Sequence, residues 1–192
     1  MQIDLLMGAG IAAAFAYIVI FTGILRGQTR MNIATWLVWS IVNTVVTAAI
    51  IKSGFSHPWM NITFMIGSIV TLLLSLRRGN WSWGKIETIC SIIALVAMVC
   101  WFYFGPTQAL VLGVTAMFVG GVPQLIDTYH RPGDQQSWTW FLFLTSCTLS
   151  LMGAPTWDLA HVLYPIFGLV MNGFMFLFIL LRPKSAAPRS RY

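Results

Sequence analysis

Seven apolar segments, set apart wherever charges, glycines and prolines cluster, leave this chain one class of fold. They cover residues 5–25, 34–51, 59–76, 88–104, 109–126, 138–152 and 159–181, each near the roughly 20 residues that a helix needs to cross a bilayer. The sixth is short and borrows from Gln136 before it or Thr156 after it. Hydrophobic residues make up 58% of the chain, charged residues 8%, and the mean hydropathy is +0.79, far from a soluble domain of average makeup. The expectation is an all-α membrane protein. The first apolar run begins almost at Met1 with no basic segment ahead of it and no clear small-residue cleavage site, so it reads as a retained helix.

Charge then sets the orientation. With seven spans and the N-terminus outside, Arg26, Arg30, Arg77, Arg78, Lys85, Arg131, Arg182, Lys184, Arg189 and Arg191 lie inside, and of the 11 basic residues only Lys52 lies outside. The bases sit between apolar spans and at the C-terminus, which argues against a nucleic-acid patch. Cys90, Cys100 and Cys147 stand in apolar runs without CxxC spacing, so neither a disulfide framework nor a zinc site is expected. The expected setting is a prokaryotic plasma membrane, with the C-terminus cytoplasmic.

The chain repeats itself. Displaced by 101 positions, Arg30 falls on Arg131, Trp39 on Trp140, Thr44 on Thr145, Thr47 on Thr148 and Gly67 on Gly168. The register slips to 102 where Thr35-Trp36 meets Ser137-Trp138, and the closing Arg77 and Arg182 need a gap. The fourth segment has no counterpart, and one extra helix keeps two odd-numbered halves parallel. The expected plan is therefore two parallel three-helix bundles joined by a linker helix (3+1+3): a first repeat over 1–85, a linker helix over 86–106, a second repeat over 107–182 and a basic cytoplasmic tail over 183–192. Parallel repeats of this kind are one plan of secondary transporters, with the solute site at their interface near the midplane.

The stretch GGVPQLIDTY, residues 120–129, concentrates features that are costly in hydrocarbon. Pro123, next to Gly120 and Gly121, is expected to bend or loosen the end of helix 5, with Gln124 and Asp127 completing a hinge. Pro123-Gln124 at the cytoplasmic end of that helix, Ser137 opening the next one after a polar loop, and the 3+1+3 plan over nearly the whole chain together resemble the PQ-loop superfamily. That group includes the SWEET sugar transporters, cystinosin-like amino acid exporters and, more distantly, the KDEL receptors. The resemblance implies solute transport by alternating access. Two departures stand out: Thr22-Gly23 occupies the first-half position of Pro123-Gln124, and the Asn pair of SWEET proteins is replaced by Met65 and Ile166.

Polar residues in the spans nominate a pocket. Trp39, Asn43 and Thr47 share a face of helix 2 at i, i+4 and i+8, and Trp140, Thr145 and Thr148 cover the same arc of helix 6. Thr63, Gly67 and Thr71 on helix 3 match Tyr164, Gly168 and Asn172 on helix 7. Aromatic planes with hydroxyls and amides suit a small polar solute that has an apolar face. Trp36 and Trp138, nearest the cytoplasmic ends, are assigned to the interfacial belt. Asp4, Glu87, Asp134 and Asp158 sit near span ends and His57 and His161 on the outer side, which favours facilitated diffusion over proton coupling, Asp127 being the residue to watch.

No HExxH, GxSxG, Gly-rich phosphate loop or Cys/His cluster occurs, and Lys184 lies beyond the last span, so enzymes and retinal proteins are set aside. Neither a cofactor nor a metal is expected. The leading expectation is a transporter of a sugar, a neutral amino acid or a vitamin-like solute. The other is a membrane receptor or accessory subunit that binds a peptide or protein, which charges lining the cavity would favour. Assembly as a homo-oligomer is left open.

Overall fold

Local chemistry sets where the helices start and stop. The computed structural model describes residues 1–52, 54, 57–79, 83–104 and 106–182. Among them run α1 (Gln2–Leu25), α2 (Ile33–Lys52), α3 (Trp59–Arg78), α4 (Lys85–Phe104), α5 (Pro106–His130), α6 (Ser137–Met152) and α7 (Leu159–Leu181), with a 3-10 turn at Pro132–Asp134. Gly27, at φ 68°, turns the chain out of α1 in a left-handed conformation that favours glycine. Asn32 caps α2, its Oδ1 accepting from Thr35 N at 3.0 Å. The expected tail at 183–192, with Lys184, Arg189 and Arg191, lies outside the described residues, as do the side chains of Glu87, Cys90 and Cys100.

Five helices, α1, α2, α3, α5 and α7, contain stretches long and apolar enough to cross a membrane, a composition compatible with a multi-pass membrane protein. α6 has 16 residues, about 24 Å at the helical rise and short of a typical hydrocarbon core. Apolar side chains also face outward. Ile3, Met7, Ile11, Phe15 and Ile18 form an exposed stripe on α1, and Ile166, Val170, Phe174 and Leu177 form one on α7. A surface as apolar as its core suits lipid on the outside.

Six helices close a ring in which α1 packs on α3 and α6, α2 on α3 and α5, and α7 on α5 and α6; α4 lies outside against α5 and α2. Close approach depends on small residues. A Cβ on Gly67 would fall inside the Tyr17 ring, and one on Gly10 would lie 2.9 Å from Trp59 Cβ. At the arginine-rich end, Arg78 Nη1 donates to Leu25 O at 2.7 Å, and Arg182 Nη1 donates to Tyr129 O at 3.1 Å. Each cation meets the carbonyl end of a helix, where the dipole favours it.

Pro123 lies inside a continuous helix. α5 runs on through Pro123 to His130, so the proline costs the helix only the bond to the Val119 carbonyl. Gly120, Gly121 and Gln124 around it are buried.

At the opposite end, Asp158 caps α7 by accepting from His161 N at 3.1 Å. The Thr156 hydroxyl, donating at 2.7 Å, and the His161 ring, 2.7 Å away, hold its carboxyl below the ordinary 3.8. A depressed carboxylate supplies stability above its unfolded pKa and loses it as pH falls through the folded one. Asp158→Asn keeps a capping oxygen that does not titrate. Between about pH 6 and about pH 3 the parent is therefore expected to lose more unfolding temperature than Asp158→Asn. Equal losses in the two proteins would discard the linkage.

Candidate functional site

Where the ring meets, α1, α2, α3, α5, α6 and α7 enclose a hollow with about 20 Å³ open to the centre of a water molecule, room for one or two waters. Tyr17 comes from α1, Trp36, Trp39 and Asn43 from α2, and Phe64 from α3. Met117, Phe143, Tyr164, Phe167, Gly168, Met171 and Asn172 complete it. Its polar atoms are mostly committed. Trp39 Nε1 donates to Met117 O at 3.0 Å, Tyr164 Oη donates to Asn43 Oδ1 at 2.6 Å, and Asn172 Nδ2 donates to Gly168 O at 2.6 Å.

Four packed aromatic rings, Tyr17, Phe64, Phe143 and Tyr164, form part of its wall. Tyr17 and Phe143 lie edge to face at 4.9 Å between ring centroids, Phe64 and Phe143 are tilted by 40° at 5.1 Å, and Phe64 and Tyr164 lie edge to face at 5.9 Å. The Tyr17 hydroxyl pins this cluster by donating to Phe64 O at 3.2 Å. Next to it lies a smaller cavity of about 10 Å³ with Leu6, Ile50, Asn61, Ser150, His161 and Pro165 in its wall. Tyr164 belongs to both walls.

Hydrogen bonds close the arginine-rich end. Gln124, fully buried, accepts from Asn32 N at 3.1 Å, and Asp127 Oδ2 accepts from Asn32 Nδ2 at 3.1 Å. Arg30 N donates to Asp134 O at 3.3 Å, and Gln135 Nε2 donates to Arg30 O at 2.9 Å. The α1–α2 and α5–α6 connections thus seal against each other. Thr22-Gly23 opposite Pro123-Gln124 also makes sense here. Gln124 reaches the residue before α2, whereas Gln136, the residue before α6, reaches Gly23, where a Cβ would lie 2.7 Å from its Nε2. A long side chain on one partner is matched by none on the other.

The nominated residues divide. Trp39, Asn43, Gly168 and Asn172 meet at the hollow. Gly67 and Thr71 lie beside it in the helix packing, Thr71 Oγ1 donating to Gly67 O at 2.8 Å. Thr47 ties α2 to α3 through Asn61 O at 3.1 Å. Trp140 is fully buried within the α6 packing but lines neither cavity. Thr145 and Thr148 return their hydroxyls to Phe141 O and Leu144 O of their own helix on its outer side, which corrects their expected place in the pocket. Trp138 is 68% exposed, in keeping with a belt position, but Trp36 is 1% exposed and lines the hollow.

Trp36, Trp39 and Asn43 stand at i, i+3 and i+7, so the facing arc of α2 begins one turn earlier than the arc read through Thr47. Tyr17, Phe64, Met117, Phe143, Phe167 and Met171 were not singled out by the sequence, because a search for polar residues passes over aromatic and thioether side chains. No protein-family model matches this chain, and neither a curated protein nor a solved structure matches it.

Proposed function

We propose that the chain is a seven-span membrane transporter of a small solute, built as two parallel three-helix halves around the hollow, with the arginine-rich end cytoplasmic. The carrying observation is an aromatic and amide chamber at the helix junction, with a cluster of packed rings in its wall and hydrogen-bonded loops at the arginine-rich end. Exchanging α1, α2 and α3 with α5, α6 and α7 leaves the packing ring unchanged. Arg78 on Leu25 and Arg182 on Tyr129 are likewise equivalent bonds of the two halves. Such symmetry supports alternating access, in which one half rocks against the other.

The closed junction is poised to open. Thr29 Oγ1, Gln124 Nε2 and Gln135 Oε1 are buried with no partner among the described residues, so they pair with water or in another arrangement of the loops. A peptide receptor of similar plan would call for charges along its cavity. The described lining carries none, which favours a transporter.

The test needs no known solute. In a background with Cys90, Cys100 and Cys147 replaced, Met171→Cys is probed in proteoliposomes with a charged methanethiosulfonate added from either side. Oxidising an added Arg30→Cys, Asp134→Cys pair is expected to abolish labelling from the arginine-rich side while the other side still labels. A thiol that reacts from neither side under any condition would remove the transport reading.

A further inference from the structure

The hollow is narrow in what it can still bond. Tyr164 donates to Asn43, and Tyr17, Trp39 and the amide nitrogen of Asn172 donate to backbone carbonyls. Two polar atoms of the lining have no partner at all among the described residues, beside the acceptor lone pairs that the Tyr17 and Tyr164 hydroxyls keep. Trp36 Nε1 is a buried donor with no partner among the described residues, and Asn172 Oδ1 is the acceptor its side chain can still offer. The rest of the described lining is aromatic rings, two thioethers and a glycine, with no charge.

We infer that the solute is an uncharged, flat-faced aromatic molecule carrying both a hydrogen-bond acceptor and a donor, of the lactam or ring-carboxamide kind; this rests on the transporter reading above. The acceptor takes the Trp36 N–H, the donor serves Asn172 Oδ1, and the ring faces lie against the indoles and Phe167. A zwitterionic amino acid would bring two charges into this chamber with no counter-charge among the described lining, at a cost of several kcal/mol per ion. A sugar presents hydroxyls on every edge, and most would go unpaired here.

Room comes from the thioethers. Met117 and Met171 are flexible side chains that refill a vacated space, and the Met171 methyl rests against Gly121, where no Cβ stands in its way. The hollow as it stands is smaller than an aromatic ring, so a ring enters only as these methionines swing aside.

Calorimetric titration of the full-length protein in detergent with thymine, glucose, phenylalanine and benzoate separates the classes. Thymine is expected to bind, with the other three at least about tenfold weaker, and Trp36→Phe is expected to weaken thymine by up to about tenfold, the loss of one buried hydrogen bond. Should Trp36→Phe fail to fold, 1,3-dimethylthymine on the parent protein deletes the ligand's donors and is expected to lose a similar factor. Glucose, phenylalanine or benzoate binding as tightly as thymine would overturn the assignment, as would thymine binding that neither change weakens. Absence of thymine binding in a protein whose Met171→Cys thiol still labels from alternate sides would refute the ligand class and leave transport standing. A thiol that never reacts removes both.

Discussion

Replacing Gly67 by alanine is expected to lower the unfolding temperature, against the usual effect of that exchange in a helix. Alanine normally gains about 1 kcal/mol over glycine at an interior helical position. Here the new methyl would occupy the space of the Tyr17 ring, which is itself buried, packed edge to face with Phe143 and hydrogen-bonded to Phe64 O. Overpacking of this kind costs about 1–3 kcal/mol because a ring in a filled core has nowhere to turn. The clash outweighs the propensity, and the net loss is on the order of 1 kcal/mol, up to about 2. Gly173 is the internal control. Its added Cβ would meet Leu144 Cδ2 at an ordinary 3.9 Å, so Gly173→Ala should be neutral or stabilising. Thermal unfolding in one detergent compares the two, and a Gly67→Ala protein as stable as Gly173→Ala would show that α1 and α3 do not meet as described. In the double variant with Tyr17→Ala, the Gly67→Ala penalty should largely vanish, a non-additivity expected only of residues in contact.

Asn32 carries the second large effect, because one buried side chain both caps α2 and bolts the α5 end to it. Asn32→Ala removes a cap worth about 1 kcal/mol and a hydrogen bond to a carboxylate worth about 1.5–3 kcal/mol. Asn32→Asp separates the two roles: its carboxylate still accepts from Thr35 N, but it turns the donor toward Asp127 into a second negative charge. In the background lacking native cysteines, Thr29→Cys reports on the junction, since Thr29 is 2% exposed. Both Asn32 variants should speed its labelling from the arginine-rich side about tenfold or more, a shift of the junction's opening equilibrium by at least about 1.4 kcal/mol. Labelling as slow as in the parent for both variants would mean that the Asn32–Asp127 bond does not hold that end closed.

Helix positions were legible because lipid and packed core ask for the same apolar residues, and only charges, glycines and prolines interrupt them. The expected segments 34–51 and 159–181 match α2 (Ile33–Lys52) and α7 (Leu159–Leu181) within a residue or coincide with them. Helix 5 was cut short at 126 because Ile126 is followed by Asp127 and polar residues, whereas in the fold Asp127 finds the amide of Asn32 and the helix continues. The site was half legible. Asn43, Gly168 and Asn172 could be picked out since an amide or a break in side-chain bulk is unusual in an apolar helix. Thr145 and Thr148 looked equally suitable, but a hydroxyl can satisfy itself on the carbonyl four residues back, so its presence in a span says little about which way it faces.

The sequence by itself determined a bundle of apolar helices, the end at which its bases gather and the internal correspondence between its two parts. Tertiary structure alone decided that Trp36 faces the chamber and Trp140 does not, that Tyr17 fills the notch of Gly67, and that Gln124 and Gln136 each reach across to the other half. The reason is physical: with apolar residues on every side, a span's pattern fixes its length but not its rotation about its own axis. That angle is set only when rings and glycines on neighbouring helices find shapes that fit.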